Sequence, residues 1–288
     1  MPTDKYSAVW VSHSSITAFL NCPRAYFLNN IYRDPATGHK ITLMNPPLAL
    51  GQAIHEVIEA LSLLPAQARF QEPLALKFDA VWQKISGIRG GFTDQKTEAA
   101  YKQRGKAMIK RLVNHPGPLT TLAVKIKMDL PYFWLSEEDN IILCGKIDWL
   151  EYLPDDSVHI IDFKTSTQDE DPRSLQLPIY YLLAQNCQKH PIAKASYWYL
   201  ERSDAPKPVP LPNPSDAKAR VLKIAKEIKL ARQLRRFVCR NKTGCRACRP
   251  LETVVRGEAT FVGIDAYNQD VYILEKLKTG ETADSVIL

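Results

Sequence analysis

The chain alternates stretches of helical and strand periodicity. Ile16, Phe19 and Leu20 recur at helical spacing behind Ser14 or Ser15, either of which can cap a helix, and Pro23 opens a second turn carrying Tyr26, Phe27 and Ile31. Cys22 lies at that junction. After a loop rich in Pro and Gly (34–47), Leu50, Ile54, Val57, Ile58, Leu61 and Leu64 predict a helix that sets His55 one position off its apolar stripe. Residues 74–113 are amphipathic and helical, with breaks at 87–91 and at Pro116. A strand region is expected over 122–134.

Residues 148–164 read as a β-hairpin. Ile141, Ile142, Leu143, Ile147, Trp149 and Leu150 form one strand, and Val158, Ile160, Ile161 and Phe163 the other, around the turn chemistry of Pro154-Asp155-Asp156-Ser157. Alternation puts Asp162 and Lys164 on one face and Phe163 on the other. A two-residue loop pairs Asp148 with Phe163; a three-residue loop or a bulge pairs it with Asp162 or Lys164. We expect the second register, with Asp148 on the Asp162 face. Asp155 also fits a loose acid-gap-DxK spacing with Asp162, but it sits at the tip, about 20 Å along the strand. Two acids and an amine at one end of a sheet can hold a divalent metal and a water beside a phosphate. The competing reading is a structural Asp–Lys ion pair.

Beyond Lys164 a polar loop precedes a helix from Ser174, in which Pro178 is tolerable near the first turn. Gln176 and Tyr180, four apart, share a face of it. Residues 195–200 predict a strand. Pro206, Pro208, Pro210, Pro212 and Pro214 read as a stiff connector (203–215) that delivers a basic helix over 215–237. Short β-like runs at 259–264 and 271–274 find no partner by pattern. The order of elements indicates an α/β or α+β core with a mixed sheet, and the absence of GxGxxG and GxxxxGK[ST] argues against Rossmann and P-loop proteins.

Charge changes this picture. The chain carries +7 overall, but residues 217–249 hold twelve Lys/Arg against one acid, Glu227; that stretch is +11 and the remainder −4. Such density fits a polyanion such as a nucleic-acid backbone, with Lys223, Lys226, Arg232, Arg235 and Arg236 as candidate DNA contacts. No apolar run approaches the roughly 20 residues of a membrane span, and the N-terminus lacks the basic-then-apolar order of a signal peptide. A cytoplasmic, reducing setting is the expectation, in which six cysteines are thiols or metal ligands. Cys239-x5-Cys245-x2-Cys248 is a thiolate cluster needing a fourth ligand, with Cys22, Cys144 and Cys187 as candidates. Cys22, at a helix break before Pro, is read as an exposed corner suited to that role. Spacing alone leaves zinc and iron–sulfur open.

The motifs Ser12-His13-Ser14-Ser15-Ile16 through Phe19-Leu20-Asn21-Cys22-Pro23-Arg24, Gly51-x3-His55, Gly145-Lys146-Ile147-Asp148, Asp162-Phe163-Lys164 and Gln176-x3-Tyr180, followed by the three cysteines, resemble the RecB-like, iron–sulfur branch of the PD-(D/E)xK nuclease superfamily. That branch includes AddB-type nuclease domains and CRISPR-associated RecB-like exonucleases. The resemblance implies a restriction-endonuclease-like α/β core with a mixed central sheet flanked by helices, over residues 1–250, with 251–288 as an extension of unknown role. It implies His55, Asp148, Asp162 and the Phe163 carbonyl as ligands of Mg²⁺ or Mn²⁺, Lys164 as the residue that orients or activates the attacking water, and Gln176 and Tyr180 as groups that position DNA. It also implies a [4Fe-4S] cluster on Cys22, Cys239, Cys245 and Cys248, joining the two ends of the core. The expected activity is exonucleolytic hydrolysis of single-stranded DNA or DNA ends, in repair, recombination or spacer acquisition, beside a separate helicase or CRISPR adaptation proteins. The alternative is a non-catalytic DNA-binding or assembly subunit that keeps the fold.

Overall fold

Residues 4–274 are described by a computed structural model. β1 (Val9–Val11) leads into α1 (His13–Asn21), whose cap is Ser12, not Ser14 or Ser15. The Ser12 hydroxyl accepts from the Ser15 N–H while the Ser15 hydroxyl accepts from the Ser12 N–H, a reciprocal pair that satisfies two helix-end donors. α2 (Pro23–Tyr26) starts on Pro23 as expected. β2 (Lys40–Leu43) precedes α3 (Pro46–Ser62), α4 (Leu74–Ile85) and α5 (Gln95–Asn114). These three helices bury Leu50, Ile54, Phe78, Trp82 and Met108 in one core. The α3–α4 corner is pinned by Arg69, 3% exposed, which donates to the carbonyls of Leu61, Leu64, Leu119 and Thr121 and lies 4.8 Å from the Trp149 ring centre.

The expected strand over 122–134 is mostly absent. β3 (Tyr132–Ser136) forms only at its end, and the earlier part touches a strand through the single bridge of Ala123 with Glu151. The strand read through residues 141–150 is also two strands, β4 (Ile141–Cys144) and β5 (Trp149–Tyr152), in different sheets. The break falls at Gly145, where an added Cβ would lie 3.2 Å from Leu183 Cδ1, so the chain leaves one sheet and passes close to a helix before joining the other. β6 (Val158–Lys164), α6 (Gln176–Cys187) and β7 (Ile192–Tyr199) follow. Part of the proline connector is β8 (Lys207–Val209), antiparallel to β7; Pro208 is compatible with a strand there because β8 is the sheet edge. α7 (Pro214–Gln233) is the basic helix, and α8 (Arg249–Val255), β9 (Thr260–Ile264) and β10 (Gln269–Ile273) complete the described chain.

The fold is mixed α/β. A four-stranded sheet, β5-β6-β7-β8, joins antiparallel and parallel pairs, and a three-stranded sheet, β1-β4-β3, is mixed as well. α6 and the apolar face of α7 (Ala217, Val221, Ala225, Ile228) share a core with Leu143, Leu150 and Ile160, while α3 to α5 cover the other side. The two β-like runs that had no partner by pattern are β9 and β10, and β10 pairs in parallel with β2 from the N-terminal part. α8 runs across residue 250, the expected edge of the nuclease domain. Residues 275–288 of the expected extension lie outside the described residues.

Candidate active site and cysteine centre

The β5–β6 hairpin has the expected register. Trp149 faces Ile161 and Leu150 faces Ile160, so the same ladder carried one step further sets Asp148 opposite Asp162. The turn is the three-residue form: Leu153 N–H donates to the Ser157 carbonyl, and Asp156 takes φ = +64°, a value Asp tolerates better than most residues. Asp155 lies in that exposed turn, away from the acids.

Asp148 Oδ2 accepts from the Phe163 main-chain N–H at 3.0 Å and stands 3.5 Å from His55 Nδ1. Burial works against a charged His55, yet the Asp148 carboxylate, and Asp162 behind it, outweigh burial and raise the imidazole above its ordinary value. Asp162 is wholly buried, and its carboxyl is pushed up to about 7, first by burial and next by Asp148. Lys164 Nζ lies 2.8 Å from Asp162 Oδ2, but at an angle that leaves this oxygen without a directed hydrogen bond. Asp162 Oδ1 accepts from Gln176 Nε2 at 2.6 Å; Gln176 Oε1 accepts from Lys164, and Gln176 Nε2 also donates to the Tyr180 hydroxyl at 3.3 Å. Burial, then the two aspartates, hold the Tyr180 phenol well above its usual range.

Four of the residues picked from the sequence therefore form one network, Asp162, Lys164, Gln176 and Tyr180, and the Asp148–His55 pair stands beside it on the same hairpin face. Sequence reasoning missed three neighbours. Glu170, on the loop after β6, places Oε2 3.2 Å from Lys164 Nζ, and its own N–H donates to the Tyr199 hydroxyl. His13, first residue of α1, is lowered by burial and then by Lys164. The Tyr197 ring sits 5.2 Å from Lys164 Nζ. Despite burial, Asp162 and Glu170 together hold Lys164 above its ordinary value, so it is an ammonium here. His13 belongs to a motif already noted, but nothing in the local pattern separates Glu170 from Asp169 or Asp171.

Two carboxylates, one of them with a buried oxygen lacking a directed donor, and one imidazole make an oxygen-rich ligand set that fits a divalent cation. The crowding that drives Asp162 upward is the kind a cation relieves.

The basic residues Lys223, Lys226, Arg232, Arg235 and Arg236 are exposed on and just after α7. Lys226 is engaged with Asp139 at 2.8 Å, and Arg232 with the Tyr26 phenol.

Cys22, Cys239, Cys245 and Cys248 gather with their sulfurs all within 4.8 Å of one another. Cys22 is buried, 2% exposed, not the open corner expected, because α8 and the 239–248 loop pack over it. Gly244 takes φ = +83° to turn that loop. The Cys248 main-chain amide draws the Cys245 thiol down to about 7, whereas burial pushes Cys248 up to about 12. Cys144 and Cys187 stand apart and donate to the Val11 and Tyr132 carbonyls. Four convergent sulfurs fit a metal centre.

The fold and this corner define a class: a mixed α/β domain with an acid, acid, lysine set at the end of an antiparallel strand pair. The sequence pattern of the PD-(D/E)XK nuclease superfamily matches residues 10–251, and the chain belongs to that superfamily. No curated protein matches it. Nucleases of this superfamily use divalent metals. Among the described residues no helix is long and apolar enough to cross a membrane.

Proposed function

We propose that this chain is a divalent-metal-dependent deoxyribonuclease of the RecB-like branch, acting on single strands or ends. The observation that carries the reading is the convergence of Asp148, Asp162 and Lys164 on one face of the β5–β6 hairpin, with His55 beside them. His55, Asp148, Asp162 and the Phe163 carbonyl would hold Mg²⁺ or Mn²⁺. When bound, that ion supplies an activated water and charge stabilisation at the phosphate. Lys164, kept charged by its two acids, orients the water and offsets negative charge developing on the phosphate. Gln176 fixes both Asp162 and Lys164 through its amide, and Tyr180 backs it. The α7 cations that remain free guide the backbone without reading bases. Repair, recombination or spacer acquisition, alongside a helicase or adaptation proteins, is the setting that the motif set supports, and a cytoplasmic location goes with it.

The test is end-labelled single- and double-stranded DNA incubated with Mn²⁺. Single strands should be shortened, and Lys164→Ala should bind DNA normally while losing at least about 10²-fold in rate. Folded, metal-loaded protein that leaves all DNA intact, with Lys164→Ala indistinguishable from it, would make the chain a non-catalytic binding subunit.

The four cysteines are proposed as a structural centre that ties Cys22 to the 239–248 loop. The motif set favours [4Fe-4S]. A specific observation favours a single zinc: Cys245 and Cys248 sulfurs are 3.8 Å apart, the edge of a tetrahedron with about 2.3 Å bonds, whereas a cubane hung on four irons needs a wider cage. Anaerobic preparation decides, brown with absorption near 400 nm for the cluster, colourless and zinc-loaded for the alternative.

A further inference from the structure

A cleft of ≈ 430 Å³ begins at His55 and Asp148 and extends away from Lys164, Gln176 and Tyr180, none of which lines it. One wall is the second half of α3, with Ile58, Glu59 and Ser62; the other is the irregular segment 123–131. Between Val124, whose N–H donates to Leu150, and Pro131, whose carbonyl accepts from Gly145, the main chain of residues 125–130 makes no hydrogen bond among the described residues. Part of this run lines the cleft, whose other walls mix apolar side chains (Ile58, Ile147, Leu150) with polar ones (Glu59, Ser62, Lys146). Ile126 and Met128 face into it beside Leu150.

Charges of both signs line the cleft: Lys146 pairs with Glu59 at 3.1 Å and also feels Asp129, while Lys125 makes no ion pair among the described residues. Tyr267, 72% exposed in the β9–β10 turn, stands near Lys146.

We propose that this cleft takes one unpaired nucleotide of the substrate strand, next to the scissile phosphate. The proposal rests on the nuclease reading and adds the source of single-strand selectivity. A volume of this size is that of a small-molecule site. A slot that sets apolar side chains beside polar groups and unpaired main chain matches a nucleobase, which has flat apolar faces and hydrogen-bonding edges. Glu59, Asp129 and Asp148 give a bare phosphate no advantage inside, while the exposed Lys125 is placed to meet the backbone and the exposed Tyr267 ring offers a stacking face outside. A base in a duplex reaches the cleft only by leaving its stack and its pairing partner, which disfavours a duplex substrate. Selection for unpaired DNA follows.

The experiment is fluorescence anisotropy of a labelled single-stranded oligonucleotide and of a blunt duplex, in EDTA so that no strand is cut, with cleavage measured separately in Mn²⁺. Ser62→Trp fills the cleft; Met128→Asp and Tyr267→Ala change exposed residues. With thermal melts unchanged, each should weaken single-strand binding roughly fivefold or more and leave duplex binding within about twofold. Wild-type affinity for single strands in both Ser62→Trp and Met128→Asp overturns the proposal while leaving the nuclease reading intact. If the unaltered protein binds no DNA at all, both fall. Should Ser62→Trp instead abolish a dimer seen by light scattering, with DNA binding untouched, the cleft belongs to a second copy of the chain and the proposal is overturned.

Discussion

Asp162, Lys164 and Gln176 show how much a single strand position determines. Alternation along β6 forces the acid and the amine onto one face, and the tertiary structure then closes Gln176 over both. Replacing Gln176 by Ala frees Asp162 and Lys164 to collapse fully onto each other; cleavage should fall by about tenfold or more in single-turnover assays, with DNA affinity retained. A second polar group lies at the other end of the same strand. His159 Nε2 and the Ser196 hydroxyl are 2.7 Å apart, and His159 Nδ1 is 2.8 Å from Glu151. Burial depresses the imidazole below its ordinary value of about 6.5, against the pull of Glu151. The unfolded chain therefore binds more protons than the folded one below that value, so His159 destabilises the fold as pH drops from 6.5 toward the lowered folded pKa. Urea midpoints measured from pH 7.5 to 5 should decline less steeply in His159→Gln than in the unaltered protein. Equal slopes would remove His159 as a source of acid sensitivity.

At the scale of elements, periodicity located the helices well and the strands less so. α3, α4 and α5 each carry an apolar stripe long enough to outweigh local noise. Residues 122–131 show alternation of the same quality as a true strand, yet they meet the open edge of β5 only around Ala123 and then leave it, which no local pattern records. Gly145 marks the break between β4 and β5, but its reason, the approach of Leu183, is a tertiary contact. Gly105 on α5 is a comparable case. A Cβ there would sit 2.3 Å from Phe78 Cζ, and Phe78 is fully buried with nowhere to move. Ala is the better helix former by up to about 1 kcal/mol, but overpacking costs about 1–3 kcal/mol. Gly105→Ala should accordingly lower the thermal midpoint, and a higher midpoint would show that α4 and α5 can separate cheaply.

For the whole molecule, two long-range links join the ends of the chain. β10 pairs with β2, and the Cys22 sulfur meets those of Cys239, Cys245 and Cys248. A closed structural metal site contributes its binding free energy to folding, so Cys239→Ala should lose bound metal and lower thermal stability together, as read by metal analysis and calorimetry. Unchanged values of both would mean that the sulfurs meet without a metal. The sequence by itself determined the secondary elements with strong periodicity, the face shared by Asp162 and Lys164, the helical face shared by Gln176 and Tyr180, and the thiolate trio, because each depends on local spacing. Only the tertiary structure decided the Asp148 register, the burial of Cys22, the approach of Glu170 and His13 to Lys164, and the partner of β10. Those contacts depend on which surfaces pack together over separations of up to 230 residues, and chain spacing carries no record of that packing.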